Sequence, residues 1–505
     1  MFLTKFLTQR SLTPSYILFN ISRALQYQTS TRKSTETYPK QNLKPKFDAI
    51  NFEHTLKPYA EDLTLENQHE KLSNLILPLS NHSYDEQLQI KQDIIEQVFD
   101  QIGRAILWDK RVDSQVLKYV EFQQGKFCHV ESIIPSPIID HYRCKDDLSC
   151  GYGVDGQKTI GFYINPRNSK NFPNTLCIPP MHLKSMKSKH ILTLKHFDQF
   201  LKQHPLSICE NTNIFKKDQY WRSITLKSNE QNDLMMNVIV HPQSFSKIEI
   251  DQMKKDLLNY FIDGSGRECE INSIYFQTCA QNRCTSEENP FELIYGNEFI
   301  YEIYNEKKFR ISPESLLHVN KKAAELVYTS ILEHAQIDEN TIVLDIGSAI
   351  GIYSILASSI AKKVYAIDPV TLCIEDGKFN AKLNGCRDNI EWICGSAEVN
   401  LHRILKKIAD LHGDHSRIVA IVNLSRYSLS NRMITIIRSL PSIQRILYVS
   451  SKSDGQIMHN FYELAAGERS KLKQIGAPFI PTSIYPIDSL PHTTHAETIV
   501  NCVRV

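Results

Sequence analysis

The 505-residue chain carries no excess of either charge: 58 Lys and Arg stand against 56 Asp and Glu, a formal +2. No global basic field of the kind that marks a bulk nucleic-acid binder exists, so any RNA or DNA site must be a local patch. The 12 cysteines include no C-x-x-C pair and no companion histidine spacing. That argues against a structural zinc or an iron–sulfur cluster, and for reduced, mostly buried thiols in an intracellular protein. No apolar run is long enough to cross a membrane, and the stretch from Tyr16 to Ile21 is short and interrupted. What remains, 42% hydrophobic and 23% charged residues, is the composition of a folded protein. At roughly 100 to 200 residues per domain, it should hold two to four domains.

The charge balance breaks at the N-terminus. The first 35 residues hold Lys5, Arg10, Arg23, Arg32 and Lys33, no acid, and 11 Ser or Thr. This is the composition of a mitochondrial transit peptide, expected over about residues 1–40, with a linker over 41–82. Removing those five cations from a net +2 leaves −3. From Ser83, the apolar residues Ile90, Ile94, Ile95, Val98, Phe99, Ile102 and Ile106 recur at helical spacing, and 83–135 is expected to be an N-terminal helical segment that Ser83 or Asp85 can cap. Over 136–310, short apolar stretches cut by Gly, Asn and Pro alternate with helical stretches near 181–204 and 246–262, which predicts a mixed α+β domain. The densest basic run outside the leader, Lys184, Lys187, Lys189, Lys216, Lys217 and Arg222, lies here. It is either solvated surface or an RNA-backbone track.

From 311 to 505, strand-like and helix-like segments alternate, as at Thr341–Ile346, Val364–Asp368, Ile390–Cys394, Arg417–Asn423 and Arg445–Ser450. That alternation predicts an α/β fold with a parallel-rich, doubly wound, Rossmann-like sheet. Ligands in such sheets bind outside the carboxyl ends of the strands. The turn after the first strand, Asp345-Ile-Gly-Ser-Ala-Ile-Gly351, opens a helix but fails G-x-G-x-x-G, having only Gly347 and Gly351; the next strand ends in Asp368, an acid able to hold ribose hydroxyls.

The blocks Tyr84-Asp-Glu-Gln-Leu, Phe309-Arg-Ile-Ser-Pro-Glu-Ser-Leu-Leu-His-Val-Asn, Val343-Leu-Asp, Asn380-Ala, Tyr448-Val-Ser and Pro491-His-Thr-Thr-His-Ala-Glu497 come in a distinctive order. In this the chain resembles the S-adenosylmethionine-dependent RNA uracil-5-methyltransferases over about residues 83–505, nearest to their mitochondrial homolog B branch. The resemblance implies a class I methyltransferase domain at 311–505 behind an RNA-recognition domain at 136–310. It also implies S-adenosylmethionine as cofactor, a tRNA or mitochondrial rRNA partner, no membrane, no iron–sulfur cluster, and a monomer in the mitochondrial matrix. Chemistry in the family runs by a thiolate adding to C6 of a flipped uracil, methyl transfer to C5, and removal of the C5 proton by a carboxylate. Glu497 falls on that proton acceptor. The nucleophile does not follow: Tyr-Val-Ser-Cys reads Tyr448-Val-Ser-Ser451, an alcohol where a thiol belongs.

Further departures follow. Asp-Pro-Pro-Arg reads Asn423-Leu-Ser-Arg426, the glutamine before Val-Asn is His318, and a loop glycine is Ala349 beside Ser348. The resemblance implies cofactor contacts at His318, Gly347, Gly351, Asp368 and Asn423, with Arg426 and His495 supporting the RNA or the active site. His492, His495 or Lys452 could activate Ser451. The expectation is weak or absent uracil methylation by a uracil-5-methyltransferase homolog. The alternatives are a catalytically silent RNA-binding scaffold or tRNA chaperone, and a methyltransferase whose chemistry needs no covalent addition.

Overall fold

A computed structural model describes residues 63–505 other than 110–111, 165–174, 210–218, 282–283, 285–287, 414–415, 425–427, 452–454 and 467–475. The expected leader lies outside the described residues. The chain begins with helices α1 (Gln68–Ile76), α2 (Tyr84–Trp108) and α3 (Ser114–Phe122) and the short strand β1 (His129–Val130). Ser83 and Glu86 cap α2 reciprocally, the Ser83 N–H donating to the Glu86 carboxylate at 2.8 Å. The apolar stripe of α2 then buries Ile94, Ile95, Val98, Phe99, Ile102 and Ile106.

The central unit comprises β2 (Lys145–Tyr152), β3 (Lys158–Ile164), β4 (Leu176–Ile178), α4 (Ser188–Gln203), β5 (Ser207–Ile208), β6 (Gln219–Ser228), β7 (Leu234–Val240), α5 (Lys247–Leu258), β8 (Ser273–Thr278) and β9 (Glu292–Gly296). Its sheet runs β4-β3-β2-β6-β7-β8-β9, with β5 also paired to β6. Apart from the parallel pairs β7·β8 and β5·β6, its ladders are antiparallel. Phe197, Phe200, Trp221 and Phe261 fill the space between helices and sheet. The hairpin β10 (Ile300–Tyr304) and β11 (Lys307–Ile311) straddles the expected domain boundary at 310.

The C-terminal unit follows as α6 (Lys321–Ala335), β12 (Ile342–Ile346), α7 (Ile352–Ser358), β13 (Lys363–Asp368), α8 (Thr371–Leu383), β14 (Ile390–Cys394), α9 (Ala397–His412), β15 (Ile418–Val422), α10 (Asn431–Ser439), β16 (Ile443–Ser450), α11 (Gly455–Ala465), β17 (Phe479–Ile487) and β18 (Glu497–Arg504). The sheet order is β1-β17-β18-β16-β15-β12-β13-β14, parallel from β16 to β14, with β18 antiparallel to both its neighbours. Every residue of β12 is buried because helices cover both faces. Ile342, Leu344 and Ile346 join one core and Val343 the other.

Three expectations need correction. Residues 83–135 are not a separate segment: Phe99 and Phe127 pack on Phe461 of α11, and β1 adds a parallel strand to the C-terminal sheet. Residues 63–82 are not a linker, since Leu72 of α1 is buried with Ile164 and Ile178 of the central unit. The cysteines are not all thiols, because Cys279 and Cys284 form a disulfide. The turn after β8 brings their Cα atoms to 5.7 Å, within bridging range, although a spacing of five residues carries no metal-type signature.

Candidate active site

Two glycines shape the turn after β12. Gly347 has φ +85°, and a Cβ there would meet the Asn423 carbonyl oxygen at 2.0 Å; Gly351 has φ +86°, and its Cβ would meet the Trp392 ring at 2.3 Å. Between them Ala349 also has positive φ, +46°, a conformation that disfavours a side chain by about 1 kcal/mol. Asp368 at the end of β13 stabilises the turn: one carboxylate oxygen accepts the Ala349 N–H and the other the Val370 N–H, both at 2.9 Å. Asp345 receives the Ser354 hydroxyl at 2.6 Å on one oxygen, and burial pushes its carboxyl up to about 7. Its other oxygen, and the Ser348 hydroxyl, are buried without a partner. Buried polar atoms are nearly always satisfied. This pair at the carboxyl end of β12 therefore suits a ligand that brings its own donors and acceptors, as an amino-acid-bearing nucleoside does.

The segment after β11 is held by two buried charges. Asp376 on α8 accepts Arg310 Nε at 2.7 Å and the hydroxyls of Ser312 and Ser315 at 2.8 Å. From the central sheet, Lys227 donates to the carbonyls of Ser312, Pro313 and Ser315 at 3.0, 2.7 and 2.9 Å. Burial lowers the Lys227 ammonium to about 7. Lys227 is not among the residues the sequence singles out: its strand also carries Gln219, Arg222, Ser223, Thr225 and Ser228, so a lysine there gives no local signal. These contacts carry the chain to His318, whose backbone carbonyl accepts the Cys144 thiol at 3.1 Å and whose ring packs edge-on against Tyr328.

The His318 ring meets Glu497, with Nδ1 3.3 Å from the carboxylate. The carboxylate raises the histidine pKa against the opposing effect of burial. Glu497 opens β18 and Ser450 ends β16; Ser450 pairs with Thr498, whose hydroxyl donates to the Ser450 carbonyl at 3.1 Å. Ser451, the next residue, thus comes to the same end of the ladder as Glu497. His492 is not part of this group. It lies between Asp140, 2.7 Å from Nε2, and Gln87, 3.2 Å from Nδ1, and fixes the loop to α2. His495 is exposed, two residues before Glu497. Asn423 follows β15, its N–H bonded to the Ile346 carbonyl at 2.9 Å and its side chain beside the Tyr353 hydroxyl. Arg426 and Lys452 lie outside the described residues.

Among the described residues, neither Cys373 nor Cys394 stands in for the thiol. Burial pushes Cys373 up to about 12, and Cys394 ends β14, at the sheet edge farthest from β16 on that side. The described members of the basic run are engaged locally. Lys184 donates to the Ser80 carbonyl, Lys187 to Asn229, Lys189 to Asn232, and Arg222 to Cys279 and Gln281. Lys187, Lys189 and Arg222 tie elements of the central unit together, while the exposed Lys184 reaches back to the loop after α1.

A sheet of this order with one antiparallel strand near its edge, and a glycine turn and acid at the carboxyl ends of β12 and β13, defines a class I methyltransferase fold. A solved structure of the tRNA (uracil-54, C5)-methyltransferase of Pyrococcus abyssi in complex with S-adenosyl-L-homocysteine superposes over 85% of both chains, with TM-score 0.55 at 18% identity. The family model for ribosomal protein L11 methyltransferase (PrmA) matches residues 328–411. Among curated proteins, the tRNA (uracil-5-)-methyltransferase homolog B of Pongo abelii is 32% identical over 436 residues, covering 86% of this chain and 87% of its own length. The Danio rerio homolog B is 34% identical over 433 residues, covering 85% and 86%. The chain belongs to the tRNA (uracil-5-)-methyltransferase homolog B family.

Proposed function

We propose that this chain is a tRNA uracil-5-methyltransferase homolog that keeps the cofactor and proton-handling parts of the site while Ser451 suppresses the covalent step. The observation that carries this reading is the gathering of Glu497, His318 and Ser451 at one end of the β16–β18 ladder. Asp345, Gly347, Ser348, Gly351 and Asp368 would hold S-adenosylmethionine. When bound, it supplies the electrophilic methyl group. Position 451 would face C6 of a flipped uracil, and Glu497 would take the C5 proton once C5 has been methylated. A thiol with a pKa near 8.5 is a few per cent ionised at neutral pH and intrinsically nucleophilic; an alcohol is neither, so uracil methylation is weak or absent.

The same serine, with Asn423 in place of an acid, favours a second reading: a silent RNA-binding scaffold or tRNA chaperone. The acid-free basic leader supports import into the mitochondrial matrix, where one copy of the chain would engage a tRNA or an rRNA. Two measurements on the purified protein test the proposal. Calorimetric titration with S-adenosylmethionine is expected to show binding; no heat removes the methyltransferase reading. Mass spectrometry of tRNA incubated with protein and cofactor is expected to show C5-methyluridine with Ser451→Cys and little or none with wild type.

A further inference from the structure

We propose that His318 is a positioning residue for Glu497, setting the orientation of its carboxylate and making its strength as a base depend on pH. The inference rests on the reading of Glu497 as the proton acceptor, and goes beyond it by naming what controls that group. Its ground is geometric. The carboxylate is nearly enclosed, at 6% side-chain exposure, and the imidazole beside it is 22% exposed, so the ring is the end of the pair that exchanges protons with water. The ring packs edge-on against Tyr328, and the backbone that carries it is held by the bond from the Cys144 thiol to the His318 carbonyl. Asn320, two residues on, caps α6 by accepting the Ala323 N–H at 3.2 Å and donates to the Ser136 hydroxyl at 3.0 Å. Nδ1 is therefore held on one carboxylate oxygen, which leaves the other for substrate.

The sign of the effect follows from charge. An imidazolium stabilises the carboxylate anion and so weakens it as a base; the neutral ring leaves a stronger one. Proton removal from C5 breaks the C5–H bond, returns its electron pair to C5=C6 as the group at C6 departs with its own bonding pair, and leaves the proton on Glu497. That step should accelerate as pH rises through the His318 titration. The Tyr328 and Tyr353 hydroxyls are raised well above their usual value and the Cys144 thiol is pushed up to about 11, so all three stay neutral through the range where an imidazole titrates. Asp345, beyond the two tyrosines, and Lys227, which holds the 312–315 segment, are both shifted to about 7 and titrate in the same range, so the His318 step is read as the part of the pH profile that a substitution at 318 removes. A glutamine at this position could still donate a hydrogen bond, but could not titrate.

The first arm of the test needs no turnover. Imidazole resonances of the full chain are titrated by NMR, His318 being assigned as the signal lost in His318→Gln. In the wild type it is expected to titrate above the ordinary imidazole range, and in Glu497→Gln to fall back toward it. Titration in the ordinary range in both proteins would overturn the inference. The second arm follows release of tritium from C5-labelled tRNA against pH in the Ser451→Cys background. The rate is expected to rise with pH through the His318 titration. Adding His318→Gln is expected to abolish that step while keeping turnover, and His318→Ala to lose turnover at all pH values. A pH step unchanged in size and midpoint by His318→Gln contradicts the proposal. No tritium release from Ser451→Cys, with His318 titrating as expected in the first arm, would remove the methyltransferase reading and leave the pairing in place.

Discussion

Ala349 adopts a backbone conformation that a side chain makes unfavourable, and it does so in the turn that would wrap the cofactor. Ala349→Gly relieves the left-handed strain but loosens the unfolded chain, so the expected change runs from neutral to about 1 kcal/mol of added stability, read by denaturant titration. Asp345 gives a pH signature. Its carboxyl titrates at about 7 in the fold against an ordinary 3.8. The folded state thus binds that proton more tightly than the unfolded one. The associated stability is fully present below the unfolded value and is lost as pH rises through about 7. The slope in between is about 1.4 kcal/mol per pH unit for one such group. Asp345→Asn is expected to flatten that slope, measured by chemical denaturation on either side of the window. At this scale much was legible: Asp345, Gly347, Gly351, Asp368 and Glu497 all fall at the carboxyl ends of strands or at their rim. Lys227 was not, because nothing local in a strand sequence says which carbonyls a distant loop will bring to it.

Helix α2 shows how a motif read as kinship becomes mechanics. Its first two turns grip the loop that leads to Glu497. Tyr84 donates to Asp488 at 2.9 Å, Gln87 accepts the His492 N–H at 2.8 Å, and Lys91 forms a fully buried ion pair with Asp488 while donating to the Leu490 carbonyl at 2.9 Å. Removing one partner of a buried pair leaves an uncompensated charge, so Lys91→Ala is expected to destabilise the protein by about 3 to 5 kcal/mol. Tyr84→Phe loses the bond to the charged Asp488 and the bond its hydroxyl accepts from the Ser136 N–H at 2.7 Å, and should destabilise by about 2 to 4 kcal/mol. Equilibrium unfolding of the two variants checks both. The helical period revealed the apolar stripe of α2 because burial of apolar residues repeats every three to four positions. It could not reveal that Gln87 and Lys91 are also buried, since their partners lie about 400 residues away.

Across the whole molecule the chain is threaded rather than strung. Helices α2 and α3 and β1 complete the C-terminal unit, and the central unit, on which α1 packs, sits between them in sequence. A fragment of residues 311–505 lacks Phe99, Phe127 and β1, and is expected to express insolubly or melt well below the full chain, as differential scanning fluorimetry would show. Alternation of strand and helix made the doubly wound sheet readable from 341 to 450. The returns at β17, β18 and β1 were not readable, because their pairing depends on contacts distant in sequence. They are also what bring Glu497 to the end of β16, beside the position where a cysteine has become Ser451. The most direct test of the account incubates full-length wild type and Ser451→Cys with 5-fluorouridine-containing tRNA and S-adenosylmethionine, and resolves covalent protein–RNA adducts on a denaturing gel. An adduct with Ser451→Cys alone is the predicted result; an adduct of comparable yield with the wild type would contradict it.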